Sequence, residues 1–188
     1  IENNRDRPFF CYLPTNAPHW PYNVDRRYSD LYKGQMPDDR AGFYGMITNI
    51  DENFALLRQK LREWHLEDNT ILIFMTDNGT AAGVQLDKDG YAIDGHSAGL
   101  RGQKGSEYEG GHRVPFFIQW PNGGIGGGRV VDELTANVDF MPTLLDLCQI
   151  AVPEGRSFHG VSLRSLLLGQ VGSWADRDEM FALSIILE

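Results

Sequence analysis

Asn69-Thr-Ile-Leu-Ile-Phe-Met-Thr-Asp-Asn-Gly79 decides the fold. Ile71 to Met75 is a continuous apolar run too short for a helix and without polar alternation, so it reads as a strand buried on both faces. It runs straight into the polar turn Thr76-Asp-Asn-Gly79. On its N-terminal side Phe43, Ile47, Ile50, Phe54, Leu57, Leu61 and Trp64 recur at spacings of four and three, which puts them all on one helical face. Pro37-Asp38-Asp39 supplies the start of that helix. Farther back, Pro8-Phe-Phe-Cys-Tyr-Leu13, bounded by Arg5-Asp-Arg-Pro8 and Pro14, reads as another buried strand. Strand, long helix, strand is a βαβ unit, so the chain is expected to be α/β with a parallel sheet flanked by helices. Ligands of such sheets gather beyond the carboxyl ends of the strands, where both His19 and Asp77-Asn78 are expected to fall.

Downstream, the Gly-rich stretch from Gly79 to Arg113 carries no periodicity and is far longer than an ordinary connection, which marks it as functional or mobile. Val114 to Trp120 reads as a third strand and Val130 to Asn137 as a fourth. Asp139 reads as the N-cap of a helix through Leu144, Leu145 and Cys148, with Pro142 in its first turn. A last helix, Leu163 to Leu168, is stopped by Gly169. Met180 to Leu187 is an apolar run expected to be a strand.

The 188 residues are enough for one domain, and no apolar run approaches the roughly 20 residues of a membrane span. A formal net charge of −9 opposes a surface that grips nucleic acid. Cys11 and Cys148 lie in apolar stretches, where buried free thiols are expected, and two cysteines make no disulfide framework. The chain starts at Ile1 without the pattern of a signal peptide.

Gly99-Leu-Arg-Gly-Gln-Lys-Gly105, with Glu109-Gly-Gly-His-Arg-Val-Pro115, is too rich in glycine and charge for a spacer. Its glycines would let the backbone approach a ligand closely, and Lys104 offers a compact positive charge suited to a tetrahedral anion. The alternative is a solvated loop lysine. The spacing is not that of a P-loop, and Gly124-Ile-Gly-Gly-Gly128 precedes no helix and so is no dinucleotide fingerprint. Asp77 and Asn78 supply a carboxylate and an amide oxygen, the hard donors calcium or magnesium prefers, or else an Asx turn at Asn78-Gly79. His19, in a Pro-flanked loop, is a candidate functional imidazole, and His96 a candidate substrate contact. His65 is accounted for by a helix C-terminus, while His112 and His159 fall in Gly-flanked turns. Asp51 and Asp139 read as structural.

Taken in order, Pro8-Phe-Phe-Cys-Tyr-Leu13 with Asn16-Ala-Pro-His-Trp-Pro21, then Asn69 to Gly79, then Leu100-Arg-Gly-Gln-Lys104 with Tyr108-Glu-Gly-Gly-His-Arg-Val-Pro115, then Asn137-Val-Asp-Phe-Met-Pro-Thr-Leu-Leu145, form a pattern. It resembles the sulfatase family of the alkaline phosphatase superfamily over residues 8 to 170. The resemblance implies an alkaline-phosphatase-like α/β fold with a mixed, largely parallel sheet flanked by helices, incomplete in this chain. It also implies hydrolysis of organic or carbohydrate sulfate esters, in the periplasm or outside the cell. Asp77 and Asn78 would be two ligands of an active-site calcium, with magnesium possible. Lys104 would hold a sulfate oxygen, and His19 would bond the sulfate or its leaving-group oxygen. Either His19 or Lys104 could protonate the departing alcohol.

The family pattern also includes a Cys/Ser-x-Pro-x-Arg motif, oxidised to a formylglycine nucleophile, and an Asp-Asp metal-binding pair, and neither occurs here. Cys11 lacks the Pro and Arg offsets. Residues 1–175 are therefore expected to be the central and C-terminal part of the catalytic domain, and 176–188 the start of a smaller antiparallel sheet. On that basis the isolated chain is expected to be inactive. Two other readings stand beside the sulfatase: a related phosphoryl or phosphonate-ester hydrolase, and a non-catalytic module that binds sulfated glycan or metal.

Overall fold

The computed structural model describes residues 1–170. In chain order the elements are α1 (Arg26–Ser29), α2 (Asp38–Glu63), β1 (Leu72–Met75), β2 (Val84–Leu86), β3 (Ala92–Gly95), α3 (Glu109–His112), β4 (Phe116–Gln119), α4 (Phe140–Leu147) and α5 (Arg164–Leu167). The described residues form two compact units, one of residues 1–67 and 75–116, the other of 68–74 and 117–170. The expected strand at Met180 and the expected sheet at 176–188 lie outside the described residues.

The first unit is organised by the 26-residue α2, which starts where Pro37-Asp38-Asp39 predicts, with both carboxylates in the first turn beside the positive end of the helix dipole. Phe43 and Leu61 of the apolar stripe are buried, as is Met46 beside it, whereas Ile47 of the stripe is 40% exposed. Gly42 and Gly45 admit the neighbouring chain: a Cβ on Gly42 would stand 2.9 Å from Tyr22 O, and one on Gly45 2.9 Å from Ser29 N. The Tyr22 ring meets Phe43 edge-on at 5.7 Å. From α1, the buried Tyr28 donates its hydroxyl hydrogen bond to Glu52, and Arg27 pairs with the same carboxylate at 3.4 Å.

The 79–113 stretch is not structureless. It contains the antiparallel hairpin β2–β3, in register Val84↔Gly95, Gln85↔Asp94 and Leu86↔Ala92, with a bulge between Gln85 and Leu86. Asp87 closes its turn by accepting the amides of Asp89 and Tyr91, both at 2.9 Å. Two bonds tie the hairpin base to α2: Arg40 to Asp94 at 2.5 Å and the Tyr44 hydroxyl to Gly83 O at 3.0 Å. The Arg40 guanidinium, helped by the Gly95 amide, holds the Asp94 carboxyl below the usual carboxylate range.

Pro8 to Leu13 is not a strand. It has no strand pairing among the described residues, with Phe10 84% and Tyr12 76% exposed. An apolar run encodes a demand for burial, but a strand also needs a hydrogen-bonding neighbour, and none of the described strands pairs with it. The βαβ unit expected from it is therefore not found among the described residues. Cys11 is exposed with the run, and Cys148 is exposed at the end of α4, so neither thiol is buried as their apolar flanks suggested. His112 lies in α3 and not in a turn.

β1 and β4, which fall where strands are expected at Ile71–Met75 and Val114–Trp120, are sheet neighbours, and the Phe74 and Phe117 rings lie 6.4 Å apart. In the second unit Ile125, Leu147, Leu163, Leu166 and Leu167 form the core, joined by Ile71, Ile118 and Trp120. Val130 to Asn137 is irregular, ending in a 3-10 turn at Asn137–Asp139, so the expected fourth strand is absent there. That turn is held by the buried Asp139: its Oδ2 accepts Ala136 N at 2.8 Å and its Oδ1 accepts Val161 N at 2.9 Å. Thr143 Oγ1 donates to Asp139 O at 2.6 Å and accepts Leu163 N at 2.9 Å.

Helices α2, α4 and α5 end alike. After each, the residue in the left-handed region bonds three residues back, and the next one closes a five-residue span: Leu66 N to Leu61 O, Ile150 N to Leu145 O, Gln170 N to Ser165 O. Gly169 adopts that conformation freely, whereas His65 and Gln149 hold φ of 56° against a side-chain penalty. Gln149→Gly is expected to stabilise the protein by about 0.5–1 kcal/mol, measured as a higher urea midpoint at constant slope.

Candidate active site

Asp77 and Asn78 lie in a bend that follows β1 after Thr76. Asp77 is exposed and its carboxylate has no hydrogen-bond or ion-pair partner among the described residues. The Asn78 amide nitrogen donates to Gly79 O at 3.1 Å, which leaves its oxygen as an acceptor. Two hard oxygens, unclaimed by donors and adjacent in sequence, fit a calcium or magnesium ion, although calcium takes about 6–8 oxygens. Among the described residues no group of three or more His, Cys, Asp or Glu comes together to complete such a shell.

The backbone of this turn is joined to the loop that carries Lys104. Gly79 N donates to Gly111 O, and Lys104 N to Thr80 O, each at 2.9 Å. Glycine is required for the contact: a Cβ on Gly79 would lie 1.7 Å from Gly110 O, one on Gly110 2.2 Å from Gly102 O, and one on Gly111 2.3 Å from Ser106 O. Gly110 and Gly111 are expected from the sequence to admit a ligand, and Gly79 to close an Asx turn. At positions 79, 110 and 111 the close approach is instead of backbone to backbone, locking two loops together. Gly110→Ala is expected to cost about 2–3 kcal/mol, because the clash is with main chain that cannot swing away, and a thermal melt of the variant measures it.

Lys104 is exposed, and its ammonium group has no partner among the described residues. His96 is also exposed; only its amide is engaged, donating to Gly83 O at 3.0 Å just beyond β3. His19 does not follow a strand, since its preceding run is unpaired. It sits in a turn closed by His19 N to Asn16 O at 2.9 Å, between the cis peptide bonds Ala17–Pro18 and Trp20–Pro21. Its Nδ1 lies 2.8 Å from Trp20 O. A carbonyl only accepts, so Nδ1 carries the proton, and Nε2 is the ring atom left for a ligand. No side-chain hydrogen bond or ion pair links His19, His96 or Lys104 to Asp77 and Asn78 among the described residues. Backbone bonds bring the Lys104 loop and the Asp77 turn together; His19 stands on a separate loop.

One residue went unremarked in the sequence. Arg101 stacks its guanidinium over the Tyr108 ring, 3.7 Å from the centroid, and donates from Nε to Asp89 O at 2.8 Å. The only sequence signal was its place among glycines in the Leu100-Arg-Gly-Gln-Lys104 segment.

Residues 1–150 match the family model described as Sulfatase. The chain belongs to the sulfatase family. Among relatives of this sulfatase-family chain, the arylsulfatase of Clostridium perfringens (strain 13 / Type A) is 30% identical over 206 residues, covering 90% of this chain and 40% of the relative. Among solved structures, Ps i-CgsB in complex with k-i-k-neocarrahexaose superposes with a TM-score of 0.76 at 28% identity, covering 88% of this chain and 35% of that one. The phosphonate monoester hydrolase SpPMH from Silicibacter pomeroyi is a more distant neighbour, with a TM-score of 0.53 at 28% identity and coverages of 70% and 22%. This sulfatase-family chain thus has the alkaline-phosphatase-like α/β fold of its neighbours, and it spans two fifths or less of the length of each of these three proteins.

Proposed function

We propose that the full-length protein is a sulfuric ester hydrolase acting on organic or carbohydrate sulfate esters. The observation that carries the reading is the pair of backbone bonds, Lys104 N to Thr80 O and Gly79 N to Gly111 O. They tie a loop bearing an ammonium to a turn bearing a carboxylate and an amide oxygen, none of them paired among the described residues. In this reading Asp77 and Asn78 hold calcium, with magnesium as the alternative. The bound ion would supply positive charge against the sulfuryl oxygens. Lys104 holds a sulfate oxygen and stabilises the negative charge that builds there in the transition state. His19 presents Nε2 to the sulfate or to the ester oxygen, and in its protonated form donates to the departing alcohol. In the same reading His96 contacts the alcohol part of the substrate. The nucleophile, a formylglycine by family resemblance, comes from residues outside this chain.

By the same reading the sheet of the whole domain is mixed and largely parallel, and the protein works in the periplasm or outside the cell. No helix among the described residues is long and apolar enough to cross a membrane. An oligosaccharide sulfate is the favoured substrate class, since the solved neighbour Ps i-CgsB was captured with a neocarrahexaose. The likeness to a phosphonate monoester hydrolase favours a second reading, an aryl or alkyl phosphonate ester in the same cationic site.

The test is sulfate release from an aryl sulfate by the full-length gene product. Turnover is expected from it and none from the isolated 188 residues. A well-folded full-length product that binds sulfated oligosaccharide yet releases no sulfate would instead be the non-catalytic module.

A further inference from the structure

Lys104 stands between Gly102 and Gly105, whose φ values are 83° and 85°, so the loop carrying it has little local stiffness of its own. Besides the Lys104 N to Thr80 O bond, which fixes one backbone atom, what holds it lies just before it in the chain. Arg101 O accepts Gly110 N at 2.7 Å, while the Arg101 side chain bonds Asp89 O and stacks on Tyr108. Beside it, Gly102 N donates to Gly90 O at 2.8 Å. The acceptors are themselves fixed, because Asp87 closes the 87–91 turn and Arg40 and Tyr44 pin the other end of the hairpin to α2. An unbroken run of contacts therefore leads from a long helix, through the hairpin and Arg101, to the segment bearing Lys104.

We infer that Arg101 is a positioning residue, which sets the place of Lys104 by clamping its loop between the β2–β3 hairpin and Tyr108. This rests on the reading of Lys104 as the group that holds the sulfate. Arginine suits the task, because a planar guanidinium stacks on a ring face while its Nε bonds in the plane, which a lysine ammonium cannot do.

The experiment is a double-mutant cycle on kcat/KM for an aryl sulfate in the full-length gene product. Arg101→Ala is expected to lower kcat/KM about 10- to 100-fold while Lys104 is present, the cost of displacing a group that must be placed to within an ångström. In the Lys104→Ala background the same change is expected to have less than about a twofold effect, since there is no longer a group to place. Equal losses in both backgrounds would mean that Arg101 acts on its own or merely supports the fold, and would overturn the inference while leaving the role of Lys104 intact. Should Lys104→Ala itself leave turnover unchanged, the reading of Lys104 falls and the inference with it. If Arg101→Ala does not fold, Arg101→Lys serves in its place: an intermediate loss, again confined to the Lys104 background, is expected, and a loss independent of Lys104 contradicts the clamp.

Discussion

Asp139→Ala is expected to destabilise the protein by about 3 kcal/mol, read as a fall in the urea midpoint. The carboxylate is fully buried and each oxygen accepts a different backbone amide, one before the α4 turn and one far along the chain at Val161. Removing it deprives two donors of a charged acceptor at once, each worth about 1.5–3 kcal/mol in a buried setting and less where water can replace it, as beside the exposed Val161. Asp139→Asn is the informative companion. An amide offers one acceptor and one donor, so it satisfies one N–H and turns its own N–H₂ towards the other, and roughly half of the alanine effect is expected to remain. An alanine variant within about 0.5 kcal/mol of the parent would show that the 136–161 connection adds nothing to stability.

The second large effect is on chemistry. Lys104→Ala in the full-length gene product is expected to lower kcat for an aryl sulfate by about 10²–10³, with a much smaller change in the thermal midpoint, because one preorganised positive charge is withdrawn from the oxygens that gain charge in the transition state. The small stability cost follows from the exposure of Lys104 and from its engagement through backbone alone, by the Thr80 bond that alanine keeps. Loss of stability together with activity would place Lys104 in the framework and not at the substrate.

Elements that carry their own signal were legible in the sequence. The three-and-four spacing from Phe43 to Trp64 gave α2, the Asp139–Pro142 start and the Gly169 stop gave α4 and α5, and the compact apolar runs gave β1 and β4. What escaped depends on partners. Pro8 to Leu13 has the composition of a buried strand, but composition does not say which strand lies beside it. The β2–β3 hairpin was missed because strands of three and four residues, the second exposed throughout, are too short for alternation to be counted; its signal was Asp87-Lys-Asp-Gly90, an Asx-closed turn between Val84-Gln-Leu86 and Ala92-Ile93. The Gly110-Gly111 pair was noticed for the right reason, the absence of a Cβ, and assigned the wrong neighbour, since a glycine that admits a ligand and one that admits another main chain look alike in sequence. Asp77, Asn78, Lys104 and His19 were identified as chemistry-bearing residues by type and place. That backbone bonds stitch the turn following Asp77 and Asn78 to the loop carrying Lys104, while His19 stands on its own loop, required the fold.

The most direct measurement is the ratio of kcat/KM for a sulfate monoester to that for a phosphonate monoester of the same aryl alcohol, determined on the full-length gene product. A sulfate ester preferred by at least about tenfold, roughly 1.4 kcal/mol of transition-state discrimination, is the predicted result. A preference for the phosphonate ester would contradict the assignment as a sulfuric ester hydrolase and move the protein to its other structural neighbour.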